Sequence, residues 1–188
     1  MINRLLKAWL PALLFFSTNA MAEPEQEFSL YFETGRQITT HAFNGQSFDS
    51  GFTFSGWFKL DAIPELEHVS ILGQEYNFDD FLVTYNDGFL VVFVENYSVP
   101  MSTPLVFGEW MHIAVTFSDT ELVLYVNGAL DTKLSIDTPK ALTFSEQGSF
   151  KIGGDVPLSS GFHGQVKQVK VWSASLSAQQ IETEADSD

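Results

Sequence analysis

The sequence predicts an all-β domain folded as a two-sheet antiparallel sandwich, for three reasons. Aromatic and β-branched residues recur in short runs, and Phe alone occurs 18 times. Gly, Asn, Asp and Pro separate these runs at intervals of about 8–12 residues, a spacing typical of antiparallel sandwiches. The clearest example is residues 110–128, where two apolar runs flank a polar turn at 118–120 and end in Asn127-Gly128, a strong turn signal.

Each strand is predicted from such a run and from the turn residues that bound it. The predicted strands cover residues 28–32, 52–60, 69–73, 81–85, 89–95, 111–117, 121–126, 149–153 and 164–172. Both faces of the strand at 111–117 lean apolar, which indicates a central strand covered on both sides. In the last strand the apolar alternation slips between Val166 and Val169. One extra residue there restores the facing, so we expect a β-bulge near Lys167 and Gln168.

One short helix is predicted, at about residues 178–183. Ser177 and Gln180 fit the capping box, in which each side chain bonds the backbone of the other residue. Residues 182–188 are acidic, and we expect them to form a mobile tail after a domain that occupies residues 23–181.

The first 22 residues are predicted to be a secretory signal peptide. Arg4 and Lys7 form a positive start, residues 8–16 are apolar but too few to span a bilayer, and residues 20–22 fit the small-x-small cleavage pattern. An anchor that is never cleaved is the alternative. We therefore expect a periplasmic or secreted protein with no membrane span in its mature chain.

The composition limits the classes of function. The formal net charge is −15 at pH 7, which argues against nucleic acid and anionic lipid as partners. The absence of cysteine excludes disulfides, zinc-thiolate sites and cysteine nucleophiles. The excess of acidic residues favours solubility, and the alternative is that some carboxylates bind calcium, which prefers oxygen ligands.

Four segments, met in the right order, carry a family resemblance: residues 28–35, 52–59, 110–128 and 162–181. Together they resemble the laminin-G-like and pentraxin-like domains of the concanavalin A-like lectin/glucanase superfamily. The resemblance implies a jelly-roll topology and, most often, a binding module for glycans or proteins. The same fold also hosts hydrolases and lyases, so fold alone does not decide the function.

The resemblance also implies a candidate calcium site. Pentraxin-like domains hold calcium with an acidic-amide pair before one strand and an acidic cluster on a later loop. Asp79 and Asp80 fall at the first place, and Asp155 alone falls at the second. The alternative is that all three are solvated loop carboxylates. Many laminin-G-like domains carry a further acidic pair where this chain has Lys167 and Gln168, so a function that needs that pair is not expected.

Three tyrosines are candidate ligand-binding residues. Tyr76, Tyr85 and Tyr97 are predicted to lie in or near loops around the candidate carboxylates, where aromatic rings can stack on the apolar faces of sugars. The alternative is that the aromatic residues mainly fill the core.

No catalytic constellation is found. His112 is interpreted as a core histidine with a hydrogen-bond partner rather than as a base. Glycoside hydrolysis needs two carboxylates about 5–10 Å apart, and no predicted strand carries such a set.

We therefore predict an exported, non-catalytic module that binds a glycan or a cell-surface protein, with calcium as a candidate cofactor. A polysaccharide-active hydrolase or lyase of the same fold and a structural subunit of the cell envelope are the alternatives, and an oligomer is left open.

Overall fold

The fold consists of two six-stranded antiparallel sheets, a small strand pair and one helix. The computed structural model describes residues 28–33, 36–61, 68–74, 81–137, 141–154 and 162–187. In chain order the strands are β1 (Leu30–Phe32), β2 (Ile38–Thr40), β3 (Ser47–Phe48), β4 (Phe52–Leu60), β5 (His68–Gln74), β6 (Phe81–Asn86), β7 (Phe89–Val94), β8 (Tyr97–Pro100), β9 (Met111–Phe117), β10 (Glu121–Val126), β11 (Ala129–Ser135), β12 (Leu142–Thr143), β13 (Phe150–Ile152) and β14 (Gly164–Trp172). The first sheet has the order β1-β14-β4-β9-β10-β11, the second has the order β2-β13-β5-β6-β7-β8, and β12 pairs with β3. The predicted all-β antiparallel sandwich is confirmed.

The strongly patterned strands have the predicted bounds. β4, β9, β10 and β14 begin and end at the residues expected from sequence. β9 is central, lies between β4 and β10, and is buried at all of its residues, as predicted. The strands missing from the prediction are β2, β3, β8, β11 and β12, most of which are very short. β11 is longer but polar and largely exposed, so it lacks the apolar alternation that marks a strand.

Phenylalanine rings fill the space between the sheets. The fully buried ones are Phe52, Phe54, Phe81, Phe117, Phe144 and Phe162. The ring of Phe52 on β4 lies 5.2 Å from the ring of Phe81 on β6, so this contact joins the first sheet to the second. Burial of one such side chain stabilises the fold by roughly 1.5–3 kcal/mol, which makes this Phe cluster a main source of stability in a chain without disulfides.

The predicted β-bulge is confirmed in β14. The register of β14 against β4 shifts between Lys167 and Lys170, and Gln168 has a φ of 50°. Val169 and Val171 consequently pack against the main core, as Val166 does. Along β14, the odd-numbered side chains therefore face outward before the bulge, and the even-numbered ones face outward after it.

The helix α1 (Ala178–Asp186) packs on the outer face of the first sheet. Ser177 and Gln180 form the predicted capping box. The helix is longer than expected, and the prediction that residues 182–188 form a mobile tail is wrong for 182–186. Ile181 and Ala185 are both buried, so a second turn of the helix is held against the sheet.

The predicted signal peptide, residues 1–22, lies outside the described residues. Within the part of the chain that the structure describes, no helix is long and apolar enough to cross a bilayer.

Candidate ligand-binding surface

Most of the site residues predicted from sequence lie outside the described residues. Asp79, Asp80, Asp155 and Tyr76 all belong to this group, so the calcium site stays a prediction. Among the described residues there is no group of three or more His, Asp or Glu side chains placed to hold a metal ion.

The other two predicted tyrosines lie on strands, next to turns. Tyr85 lies on β6, is 6% exposed, and has its ring 5.8 Å from that of Phe107. Tyr97 begins β8 and packs, partly buried, against the main core. Both residues lie close to turns, at residues 87–88 and 95–96, but the burial of Tyr85 does not fit a stacking role. The i, i+2, i+4 spacing of Phe81, Val83 and Tyr85 is the sequence signal that places the Tyr85 ring on the core face.

A different surface gathers the aromatic and polar side chains. We call it the aromatic face: it is the outer face of the first sheet beside α1, and it consists of Tyr31, Trp57, Lys59, Trp110, Gln165, Lys167 and Trp172. It holds every tryptophan among the described residues. Tryptophan and phenylalanine thus occupy different places, since the core between the sheets is built mainly on phenylalanine.

The helix covers only the β9 and β10 part of the outer face of this sheet. Ile181 packs with Ala114, Val123 and Tyr125 in a small cluster separate from the main core, and Leu176 adds to it. These contacts lie over β9 and β10. The side formed by β14, β4 and the short β1 is left outside this cluster, and that is where the aromatic face lies.

The first end of the aromatic face is a row across three strands. Gln165 on β14 is paired in register with Tyr31 on β1 and with Lys59 on β4. Tyr31 is 54% exposed, and its hydroxyl lies 3.1 Å from Nε2 of His163. The ammonium group of Lys59 lies 5.6 Å from the ring centre of Trp110. An exposed phenol, an indole, an amide and an ammonium group therefore share one surface.

The next row fixes two indole rings. Lys167 is 6% exposed, and its ammonium group lies 5.0 Å from the ring centres of both Trp57 and Trp110. Each such cation–π contact is worth on the order of 0.5–2 kcal/mol. The buried lysine consequently holds the two indoles as a preformed platform.

His112 continues this row but is not available for catalysis. It is 2% exposed, and its ring lies 5.4 Å from that of Trp57. Burial, helped by nearby Lys170 and opposed by Glu184, lowers the pKa of His112 to about 4. The imidazole is therefore neutral at pH 7, and the core interpretation is confirmed. The expected hydrogen bond is absent at Nδ1, which has no partner among the described residues.

The second end of the aromatic face is a groove between β14 and α1. The groove has a volume of about 310 Å³ and is lined mainly by Trp172, Leu176, Gln179, Gln180, Thr183 and Glu184. The Glu184 carboxylate pairs with Lys170 of β14. An indole beside two amides and a hydroxyl is a combination suited to ligands that have both apolar faces and hydroxyl groups.

The family comparison supports the resemblance inferred from sequence. Residues 32–182 match the model of a family described as the concanavalin A-like lectin/glucanases superfamily. No curated protein matches the chain.

Similar solved structures are binding proteins. A putative carbohydrate binding protein from Bacteroides ovatus superposes with a TM-score of 0.66 and 20% identity, over 86% of this chain and 48% of that one. Botulinum neurotoxin type C, whose cell entry is described as dependent on two ganglioside molecules, superposes with a TM-score of 0.60 and 16% identity, over 75% of this chain and 36% of that one. The binding domain of botulinum neurotoxin DC, solved with rat synaptotagmin II, superposes with a TM-score of 0.60 and 14% identity, over 74% and 36%.

These likenesses show the fold, because all the identities are low. The chain also spans less than half the length of each of these structures. What the three proteins bind is therefore a property of those proteins.

Proposed function

Because this chain belongs to the concanavalin A-like lectin/glucanase superfamily, we propose that it is a non-catalytic module that binds a glycan through the aromatic face. The observation that carries the proposal is the placement of Trp57, Trp110 and Trp172 on one side of the first sheet, away from the phenylalanine core. A soluble fold gains little from half-buried indoles on its outer face unless they contact something.

Sugar chemistry fits this surface well. A pyranose ring has apolar C–H faces that stack on indole and phenol rings, and its edges carry hydroxyl groups that need hydrogen-bond partners. Tyr31, Gln165 and Lys59 supply such partners next to the indole of Trp110. Two of the similar structures, a putative carbohydrate binding protein and a neurotoxin that interacts with gangliosides, support the same ligand class.

The non-catalytic part of the proposal rests on the carboxylates. In the described part of the aromatic face, Glu184 is the carboxylate that lines the groove, and it is paired with Lys170. Acid catalysis of glycoside cleavage requires a second carboxylate about 5–10 Å away across the ligand. A polysaccharide-degradation assay with the purified protein should therefore give no soluble sugar.

The proposal is tested by glycan-array binding. The purified protein should bind a subset of glycans, and Trp110→Ala should lose roughly tenfold or more in affinity because one stacking surface is removed. Phe93→Ala is the matched control, since Phe93 is 37% exposed but lies on β7 of the second sheet. Equal loss in both variants would argue against the aromatic face. Binding to cell-surface protein extracts with no glycan bound would favour the protein-ligand alternative.

Calcium dependence and export remain part of the proposal. Asp79, Asp80 and Asp155 are proposed to supply oxygen ligands to calcium, and residues 1–22 to direct export to the periplasm or beyond. Titration with calcium should raise the melting temperature, and EDTA should reverse the rise. A melting temperature that changes with neither calcium nor EDTA would argue against calcium binding, and it would not bear on the aromatic face.

Mass spectrometry of the exported protein should show that the chain begins near residue 23.

A further inference from the structure

We infer that the aromatic face binds an extended glycan chain lengthwise along β14, with the groove beside Trp172 as a second subsite. This inference rests on the proposed function. It specifies that the bound ligand is an internal segment of an oligosaccharide or polysaccharide and not a single terminal sugar. It is carried by the geometry of β14, by the position of α1 and by the chemistry of the groove.

The bulge in β14 places the two ends of the aromatic face on the same side of the sheet, with the Lys170–Glu184 pair between them. Gln165 and Lys167 lie on the outer face before the bulge, paired with Lys59 and Trp57 of β4. Residues 168 and 169 then occupy the space opposite one residue, so that Trp172 pairs with Thr53 and lines the outer groove. In a regular strand, Trp172 would point to the opposite face from Lys167, because side chains alternate. The bulge thus turns the third indole onto the face that carries the other two.

The distance along this face exceeds the size of one sugar. Gln165 and Trp172 are separated by about 20 Å of strand, given a rise of about 3.3 Å per residue and one residue lost to the bulge. The indoles of Trp57 and Trp110 lie toward the first end, held by Lys167. A monosaccharide in contact with Gln165 therefore cannot reach Trp172, whereas a short oligosaccharide can.

The helix limits the direction that a bound chain can take. α1 lies over Ala114, Val123 and Tyr125, and the Lys170–Glu184 ion pair links it to β14. A ligand on the aromatic face is consequently blocked on the β9 and β10 side. The remaining course runs parallel to β14, from the Tyr31 end past the Lys170–Glu184 pair to the groove.

The groove itself has the groups that a sugar unit needs. The Gln180 side-chain oxygen accepts hydrogen bonds from the backbone and hydroxyl of Ser177. Its amide nitrogen is left as a donor, since the described residues offer it no partner. The amide of Gln179 is exposed beside it, and Trp172 supplies the apolar surface. These groups are neutral, and the Glu184 carboxylate beside them is paired with Lys170, so the groove fits hydroxyl groups rather than a charged substituent.

The test is a length series read by tryptophan fluorescence. All the tryptophans outside residues 1–22 lie on the aromatic face, so a bound chain should change their emission directly. The probes are cello-, xylo-, laminari- and chito-oligosaccharides from monomer upward, together with graded oligomers of any polysaccharide that binds on the array. Affinity should rise by about tenfold or more between the dimer and a chain long enough to reach both ends.

Two variants separate the subsites. Trp172→Ala and Gln179→Ala should each weaken the binding of long oligomers by roughly three- to tenfold, and that of short ones by a clearly smaller factor. Phe93→Ala again serves as the control, and melting temperatures establish that each variant is folded. Gln179 is exposed, so its variant keeps the test valid if Trp172→Ala fails to fold.

The failure of this inference differs from the failure of the proposed function. Binding that is equally tight for the shortest and longest oligomers, or equally weakened by Trp172→Ala at every length, would overturn the extended mode while sugar binding stands. No binding to any array glycan or oligomer would overturn the proposed function and this inference together.

Discussion

The ammonium group of Lys167 lies 5.0 Å from the ring centre of Trp57, on the outer face of the first sheet. Lysine is seldom buried, yet this one is only 6% exposed. It also contacts Trp110 at the same distance, so one charge orders two rings. This relationship explains how a surface with half-buried indoles keeps a defined shape in the absence of ligand.

The variant Lys167→Met should therefore destabilise the fold and loosen the platform. Methionine keeps most of the side-chain volume but removes the charge, and we expect a loss of roughly 1–2 kcal/mol in unfolding free energy from the two cation–π contacts. Tryptophan emission should shift to longer wavelength as the indoles become more hydrated. Urea denaturation monitored by circular dichroism and by fluorescence measures both effects.

Lys133→Met is the control for this prediction. Lys133 forms an exposed ion pair with Glu121 at the opposite edge of the same sheet, and such pairs contribute little. A Lys167 variant as stable as the Lys133 variant would show that the charge between the indoles is dispensable.

His112 predicts a particular pH dependence of stability. Its pKa is about 4 in the folded protein and near 6.5 when unfolded, so between these values only the unfolded chain takes up the proton. Stability from this residue is thus complete above about pH 6.5 and is lost as the pH falls toward 4. The loss should be on the order of 2 kcal/mol. Lys170 and Glu184 are the charged groups that act on the ring, and they oppose each other.

The measurement compares the wild type with His112→Phe by urea denaturation between pH 4 and 7. The variant cannot titrate at this position, so its curve should fall less steeply in that interval. Other acidic groups titrate in both proteins and cancel in the comparison. Parallel curves would mean that His112 has the same pKa in the folded and unfolded chains, and that burial does not keep it neutral.

The sequence predicts the fold well where one residue pattern decides the structure. The apolar runs of β4, β9, β10 and β14 fix their own bounds, and the slip between Val166 and Val169 locates the bulge. The capping box of Ser177 and Gln180 likewise locates the start of the helix. Each of these signals is local, since it depends on neighbours in the chain.

The aromatic face could not be predicted in the same way, because it depends on strand order. Trp57, Lys167 and Trp110 are distant in sequence and meet only because β14, β4 and β9 are adjacent. Burial likewise decides the role of Tyr85, because the sequence places it at the end of a strand but does not show how little of its ring stays exposed. The end of α1 was misplaced for a related reason: the acidic composition suggested a free tail, while Ala185 packs against the sheet.

The turn glycine at position 128 gives a prediction that separates backbone strain from packing. Gly128 has a φ of 77°, and a Cβ placed there would lie 3.2 Å from Cβ of Ala185 and 3.2 Å from Cα of Glu182 in α1. Gly128→Ala should therefore cost the strain of a left-handed alanine, about 1 kcal/mol, and also push the helix from the sheet.

Gly88→Ala is the matched comparison. Gly88 has a φ of 92° and follows Asp87, which also has a positive φ, as Asn127 does before Gly128. A Cβ at Gly88 would meet nothing within 4 Å, so this variant shows the strain alone. We expect Gly128→Ala to be the less stable of the two by about 1–2 kcal/mol, with faster amide exchange in α1. Equal stability and unchanged exchange would mean that the helix moves aside without a loss of stability. Its contact with the turn would then not be what holds α1 beside the aromatic face.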